Sequence, residues 1–164
     1  MKLISAKSEE DWVTASDILL DVIYHLNKTG KSLWTYHQAD TAHLKETYKL
    51  NELHFFRSEH EIFGMLFIQK NDPLFWPEVL PNESYFIHKL AVLPQFKGKG
   101  FGYKILNSVV ELACINGVKY VRLDCDPRAQ LTAYYQNYGF TFVSNATVNG
   151  FPVVKYELLT RHST

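Results

Sequence analysis

Cysteine is scarce in this chain of 164 residues: Cys114 and Cys125 are the whole supply. Two cannot build a disulfide framework, and without a CxxC spacing no metal site is expected. Charge of one sign is missing too. Seventeen Lys plus Arg balance seventeen Asp plus Glu, so the basic excess that a nucleic-acid binder uses is absent. No apolar run reaches the roughly 18 residues that a membrane span needs. The opening MKLISAKSEEDW carries charges where a secretory leader would carry its apolar core. These absences leave a cytoplasmic protein with reduced thiols, no nucleic-acid partner and no membrane partner as the expectation. Repeats, low-complexity tracts and Gly/Ser linkers are lacking as well.

What the chain does have is apolar surface. Hydrophobic residues make up 46% and charged residues 21%, enough to bury a core. The length suits one domain of about 150 residues, taken here as 1–164. Aromatics at 15% fit β-structure or a pocket for a flat or greasy ligand.

The pattern alternates strands and helices. A short strand is predicted at 3–5. Ser8 followed by Glu9, Glu10 and Asp11 reads as a capped helix start. Trp12, Ala15, Ile18 or Leu19, Val22, Ile23 and Leu26 then recur at helical spacing. Residues 34–50 give a weaker, uneven helical stretch. Strands follow at 53–57 and 62–69, joined by a hairpin at 59–61. Residues 71–82 hold three prolines and form a loop. A strand at 85–93 ends at Pro94. The clearest helix runs over 98–116, with Phe101, Ile105, Val109, Leu112 and Ala113 on one face. A strand at 119–125 and a short helix at 128–137 come next. Strands at 140–146 and 151–159 close the chain around an Asn149-Gly150 turn. The order βααβββαβαββ is mixed α/β.

The chemistry concentrates in Ile87-His88-Lys89-Leu90-Ala91-Val92-Leu93-Pro94-Gln95-Phe96-Lys97-Gly98-Lys99-Gly100-Phe101-Gly102. A strand enters a turn with glycine at alternate positions, and the turn opens a helix. A helix N-terminus leaves up to four amides free and carries partial positive charge. Glycine lets a phosphate approach that backbone, and Lys97 and Lys99 add cations. The natural ligand is a phosphate or pyrophosphate; the alternative is a glycine turn with no ligand. A dinucleotide fingerprint is excluded because position 103 is Tyr where the third glycine belongs. No P-loop string occurs either.

Two spaced motifs supply a resemblance. Val92-Leu93-Pro94 precedes Gln95-Phe96-Lys97-Gly98-Lys99-Gly100, and Tyr135-Gln136-Asn137-Tyr138-Gly139-Phe140 lies downstream. Together they resemble the Q/R-x-x-G-x-G/A and Y-x-x-x-G-F hallmarks of the GNAT superfamily of acyl-CoA-dependent N-acyltransferases. The close match covers about residues 84–142, and the element order agrees over the whole chain. The N-terminal half carries no diagnostic motif.

The resemblance implies a GNAT fold: a mixed, mostly antiparallel sheet of six or seven strands, flanked by helices, with splayed central strands. It implies acetyl-CoA as co-substrate and a primary amine as acceptor, with direct attack in a ternary complex and no metal. Backbone amides of Phe96, Lys97, Gly98, Lys99, Gly100, Phe101 and Gly102, with Gln95, would hold the CoA pyrophosphate. Leu90, Ala91 and Val92 would pair with the pantetheine arm, one strand N–H polarising the thioester. Tyr135 matches the family's general-acid tyrosine; otherwise it is a core aromatic. His88 sits in H-x-L-A-V, similar to the segment of arylalkylamine N-acetyltransferases where a histidine serves in proton removal; a structural histidine is the alternative. Asp124 lies near where some relatives carry a glutamate base, or else caps a helix or pairs with a cation. Arg128 stands where many relatives have Asn, as a contact to a CoA phosphate or a solvated charge. Neither cysteine is tied to a Cys/His pair, so no covalent enzyme intermediate is expected.

The acceptor side is less determined. Trp34, Tyr36, His37, Phe75, Trp76 and Phe151 would line a pocket for a small aromatic or hydrophobic amine, or are core or dimer contacts. Asp40, Glu52 and Glu78 could attract a cationic amine. The family allows a homodimer. A non-catalytic acyl-CoA sensor that kept the turn and lost turnover is the competing function.

Overall fold

The computed structural model describes residues 1–160. Seven strands form one mixed, open sheet in the spatial order β1 (Lys2–Ser5), β2 (Leu53–Arg57), β3 (Ile62–Gln69), β4 (Ser84–Val92), β5 (Tyr120–Cys125), β7 (Phe151–Leu159) and β6 (Thr141–Val148), and the chain divides into two compact units, Met1–Phe67 with Lys89–Leu106 and Ile68–His88 with Asn107 onward.

In the first unit, β1 (Lys2–Ser5) leads into α1 (Glu10–Lys28). The predicted apolar face is the buried one: Trp12, Ala15, Ile18, Leu19, Val22 and Ile23. The start of α1 differs from the expectation. Ser8 gives no side-chain cap; the Asp11 carboxylate instead accepts from the amides of Lys7 (2.8 Å) and Ser8 (3.1 Å). A carboxylate three residues inside the chain reversal satisfies orphan amides and favours the helix dipole at once. The weak stretch after it breaks into α2 (Tyr36–Ala39) and α3 (Thr41–Thr47), because Asp40 is extended and caps α3 through Ala42. A single 3₁₀ turn follows at Leu50–Glu52, then β2 (Leu53–Arg57) and β3 (Ile62–Gln69). These strands pair antiparallel from Leu53↔Phe67, with a bulge at Phe56/Arg57. Residues Trp12, Leu19, Ile23, Leu44, Phe55, Met65 and Phe67 form the core, and Tyr48 stacks on Phe67 at 3.9 Å. Each fully buried side chain of this size contributes about 1.5–3 kcal/mol.

The long central strand β4 (Ser84–Val92) is followed by a 3₁₀ turn at Pro94–Phe96 and by α4 (Phe101–Ile115). The second unit adds β5 (Tyr120–Cys125), α5 (Ala129–Tyr138), β6 (Thr141–Val148) and β7 (Phe151–Leu159). β4 and β5 run parallel from Ser84↔Tyr120 to Ile87↔Leu123. β5 and β7 pair antiparallel from Tyr120↔Leu159 to Cys125↔Val154. β6 and β7 form the predicted hairpin, with Asn149 at φ 50° and Gly150 at φ 81°, the two left-handed residues of a tight I′ turn. Arg122, 8% exposed, ties this unit together. It donates to Glu157 Oε2 (3.1 and 3.0 Å) and to Ser84 Oγ, and its guanidinium lies 4.1 Å from the Tyr120 ring. A buried cation satisfied this fully is structural, and removing one partner would cost several kcal/mol.

Candidate active site

The glycine turn is fastened from below by aromatic rings. Phe63 of β3 stacks on Phe101 at 4.6 Å and meets Phe96 edge-on at 4.9 Å, while Phe96 and Phe101 are 5.5 Å apart. The two ends of the turn are thereby clamped to one strand, and the Leu93 amide donates to the Phe63 carbonyl at 3.0 Å. Between the clamps, Gly98 (φ 78°) and Gly100 (φ 81°) are left-handed. A Cβ at either would meet nothing within 4 Å, so glycine is needed there for backbone shape rather than for room. Alternating handedness turns successive amides toward one side, which makes an anion nest.

The amide inventory narrows the expectation. Phe96 and Lys97 donate to the carbonyls of Leu93 (2.9 Å) and Pro94 (3.2 Å) inside the 3₁₀ turn, so those two amides are spent. Among the described residues, no backbone carbonyl takes up the amides of residues 98–102. The helix also starts later than predicted, at Phe101 rather than Gly98. The anion cradle therefore spans Gly98, Lys99, Gly100, Phe101 and Gly102, with Gln95, Lys97 and Lys99 exposed beside it.

β4 approaches β3 closely upstream of the turn. A Cβ on Gly64 would stand 2.5 Å from the Ala91 carbonyl oxygen and 2.9 Å from Ile105, so only glycine allows that approach. The ladder between β4 and β5 ends at Ile87↔Leu123, although β4 runs on to Val92. Lys89, two residues past the last rung, has φ 50°. A left-handed non-glycine residue costs about 1–2 kcal/mol. Leu90, Ala91 and Val92 lie beyond the last rung of the β5 ladder.

His88 and Asp124 are the first residues past that last rung, each one position beyond it on its own strand. They do not meet alone. Asp72, in the proline loop, brings a third group: its Oδ2 lies 3.0 Å from His88 Nε2, close enough for an ion pair though not aligned for a hydrogen bond. One donor atom from each of Asp72, His88 and Asp124 falls within 4.8 Å of the others. The loop holds the carboxylate in place, since Phe75 N donates to Asp72 Oδ1 (3.3 Å) and Trp76 N to the Asp72 carbonyl (2.8 Å). Burial raises Asp124 from the usual carboxylate range to about 6; the Asp72 charge adds to the rise, and His88 and Lys155 oppose it. Two carboxylates and one imidazole thus face one another where the β4–β5 ladder ends.

Tyr135 owes its placement to Gly139-Phe140. Gly139, at φ 128°, ends α5 by donating to the carbonyls of Tyr135 and Gln136, and Phe140 N returns to Tyr135. The Phe140 ring then meets Tyr135 edge-on at 5.8 Å. Tyr135 is partly exposed as a residue, yet its hydroxyl lies deep. Burial first, then the charges of Cys125, Tyr134 and Asp124, push its phenol well above the ordinary range. It stays protonated, as a proton donor must before its turn comes. Tyr138 differs: its hydroxyl donates to Asn107 Oδ1 at 2.7 Å, a fixed structural bond.

Other candidates separate cleanly. Arg128 pairs with Asp126 Oδ1 at 3.1 Å. Burial lifts Asp126, but the bonds from Arg128 outweigh it and hold the carboxyl below its usual range. Burial and the neighbouring Asp124 and Asp126 charges push the Cys125 thiol up to about 12, so it holds almost no thiolate near neutrality. Trp76, 2% exposed, is core, with Lys155 Nζ 4.2 Å from its ring. The Phe75 ring lies 6.2 Å from that of His88. Trp34 packs on the first unit's core, Lys89 Nζ 5.7 Å from its ring, while the His37 ring lies 5.0 Å from His43. Tyr36 and Phe151 are exposed. The three acids have local duties: Asp40 caps α3, Glu52 accepts from Lys49 N (2.7 Å), and Glu78 pairs with Lys155 (2.8 Å). Sequence reasoning missed Asp72, whose only signal was an acid beside proline in a loop carrying Phe75 and Trp76.

Residues 22–160 match the family model described as an acetyltransferase (GNAT) domain. The chain belongs to the GNAT acetyltransferases. No curated protein matches the sequence. Among solved structures, it is similar to a GNAT-family acetyltransferase from Listeria monocytogenes (TM-score 0.76, 22% identity, covering 95% of this chain and 94% of that one). It is also similar to an aminoglycoside acetyltransferase in complex with coenzyme A (TM-score 0.70, 18% identity, 96% and 94%). A third likeness is to N-acetylglutamate synthase from Neisseria gonorrhoeae, complexed with coenzyme A and N-acetyl-glutamate (TM-score 0.68, 15% identity, 98% and 35%). At these identities the likeness is one of fold.

Proposed function

We propose that this acetyltransferase moves an acetyl group from acetyl-CoA to a primary amine by direct attack in a ternary complex. The observation that carries the reading is the clamped glycine turn, whose amides from Gly98 to Gly102 are taken up by no backbone carbonyl among the described residues. Those amides, with Lys97 and Lys99, hold the CoA pyrophosphate; Leu90, Ala91 and Val92 meet the pantetheine arm, and one of their amides polarises the thioester carbonyl.

The chemistry sets two proton requirements. An ordinary alkyl amine has a pKa near 10.4, so only about 1 in 10³ is neutral at pH 7 and a proton must be removed before attack. His88 and Asp124 are the candidates for that step. The amine nitrogen then bonds to the carbonyl carbon, the C–S bond breaks, and the leaving thiolate takes a proton. Tyr135 supplies it, which its protonated state supports. The raised Cys125 thiol favours direct transfer over an acyl-cysteine route. No metal is required by this scheme. The cysteines are unbridged and, among the described residues, no helix is long and apolar enough to cross a membrane; both suit work in the cytoplasm.

The test pairs isothermal titration with acetyl-CoA and CoA with a thiol-release assay over a panel of primary amines. Binding with amine-dependent release is expected. No binding at millimolar cofactor would refute the reading, and binding without release for any amine would assign a sensor instead.

A further inference from the structure

Proline loops normally carry their carboxylates at the surface. Asp72 does not: it is 6% exposed. A buried carboxylate needs a partner, and the imidazole of His88 at 3.0 Å provides one. A structural ion pair would end there. Here a second carboxylate, Asp124, sits within 4.8 Å of both, an arrangement that like-charge repulsion opposes. Two acids around one imidazole, at the point where the β4–β5 ladder stops, is costly for folding and useful for moving protons.

We infer that Asp72 is a positioning residue for the proposed amine acetylation: it fixes the His88 ring beside Asp124, and Asp124 takes the proton from the incoming ammonium. The N–H bond of the ammonium breaks, the proton passes to an Asp124 oxygen, and the nitrogen lone pair is freed for the carbonyl. The carboxylic acid so formed returns its proton to solvent after product leaves. This rests on the acetyl-transfer reading above. The charged and titratable groups around Asp124 are His88 from β4, Asp72 from the loop, Lys155 from β7, Tyr135 from α5 and Cys125 beside it on β5. Lys155 is itself held by Glu78. The elevated Asp124 places the acceptor near neutrality, where a general base is most effective.

The test reads one group two ways in the full chain. Carbon-detected NMR follows the Asp124 carboxyl titration, and the acid limb of kcat/KM is measured with acetyl-CoA and the amine panel. Asp72→Asn removes a like charge, so both midpoints fall by about half a unit or more; His88→Gln removes an opposing one, so both rise. Asp72→Asn also lowers kcat more than it raises KM. Should Asp72→Asn not fold, the rise in His88→Gln still decides. An acid limb that stays fixed while the carboxyl midpoints move overturns the inference and leaves acetyl transfer standing. Absence of thiol release from every amine, with CoA still bound, overturns the transfer reading and this inference with it. Loss of turnover on EDTA dialysis, restored by one equivalent of Zn²⁺ or Mn²⁺, would make the cluster a metal site and overturn it as well.

Discussion

Replacing Asp124 by Asn should make the protein more stable and inactive, and the gain should depend on pH. Asp124 titrates at about 6 in the folded chain against 3.8 ordinarily. Between those values the native state binds a proton that the unfolded state has lost. Stability therefore falls as pH rises through the window and levels off above it. The displacement of about 2.2 units corresponds to roughly 3 kcal/mol at neutral pH, at 1.36 kcal/mol per unit. Asn carries no such cost. The stability of Asp124→Asn relative to the parent should widen by about 2–3 kcal/mol between pH 4 and pH 7.5. In urea, with a slope of roughly 1–3 kcal/mol/M, the midpoint gap should open by about 1 M or more. Urea unfolding of both proteins across that range, followed by tryptophan fluorescence, measures it. A gap that is constant with pH would refute the burial argument, and a gap that widens toward acid would reverse its sign.

The remaining expectations concern single side chains. Tyr135→Phe should lower turnover roughly 10²-fold or more with cofactor binding near normal; Tyr138→Phe, losing its bond to Asn107, should keep turnover and lose about 1 kcal/mol of stability. Unchanged turnover in Tyr135→Phe removes that residue from the mechanism. Alanine at both Gly98 and Gly100 should strain a left-handed backbone by about 1–2 kcal/mol per residue and weaken CoA binding in calorimetry; unchanged affinity would contradict the cradle. Gly64→Ala should lower the melting temperature, because overpacking against a backbone carbonyl costs about 1–3 kcal/mol; a neutral result would mean that β3 and β4 can separate freely there.

Much of this architecture could be read in the sequence because local signals and tertiary packing agree. The apolar face of α1, the Asn149-Gly150 turn and the Tyr135 register from Gly139-Phe140 follow from period, φ preference and helix termination. Failures occurred where a local signal had competitors. Ser8 takes the Asp11 amide with its carbonyl (3.0 Å) rather than its hydroxyl. Residues 34–50 broke at Asp40, whose carboxylate starts a new helix more readily than it continues the old one. The amides of Phe96 and Lys97 closed a 3₁₀ turn after Pro94 instead of staying open. Asp72 was out of reach for a different reason. Its burial depends on where a proline loop lies against β4, and no periodicity in 71–82 encodes that. His88 and Asp124 were legible as residue types, whereas the burial that raises the Asp124 carboxyl is a property of the packed strands.

Amide NMR spectra of the labelled protein, titrated with CoA and separately with pantetheine, address the nucleotide cradle most directly. CoA should shift the resonances of Gly98, Lys99, Gly100, Phe101 and Gly102 far more than pantetheine, which lacks the pyrophosphate. Tight CoA binding that leaves those five signals in place would contradict the account.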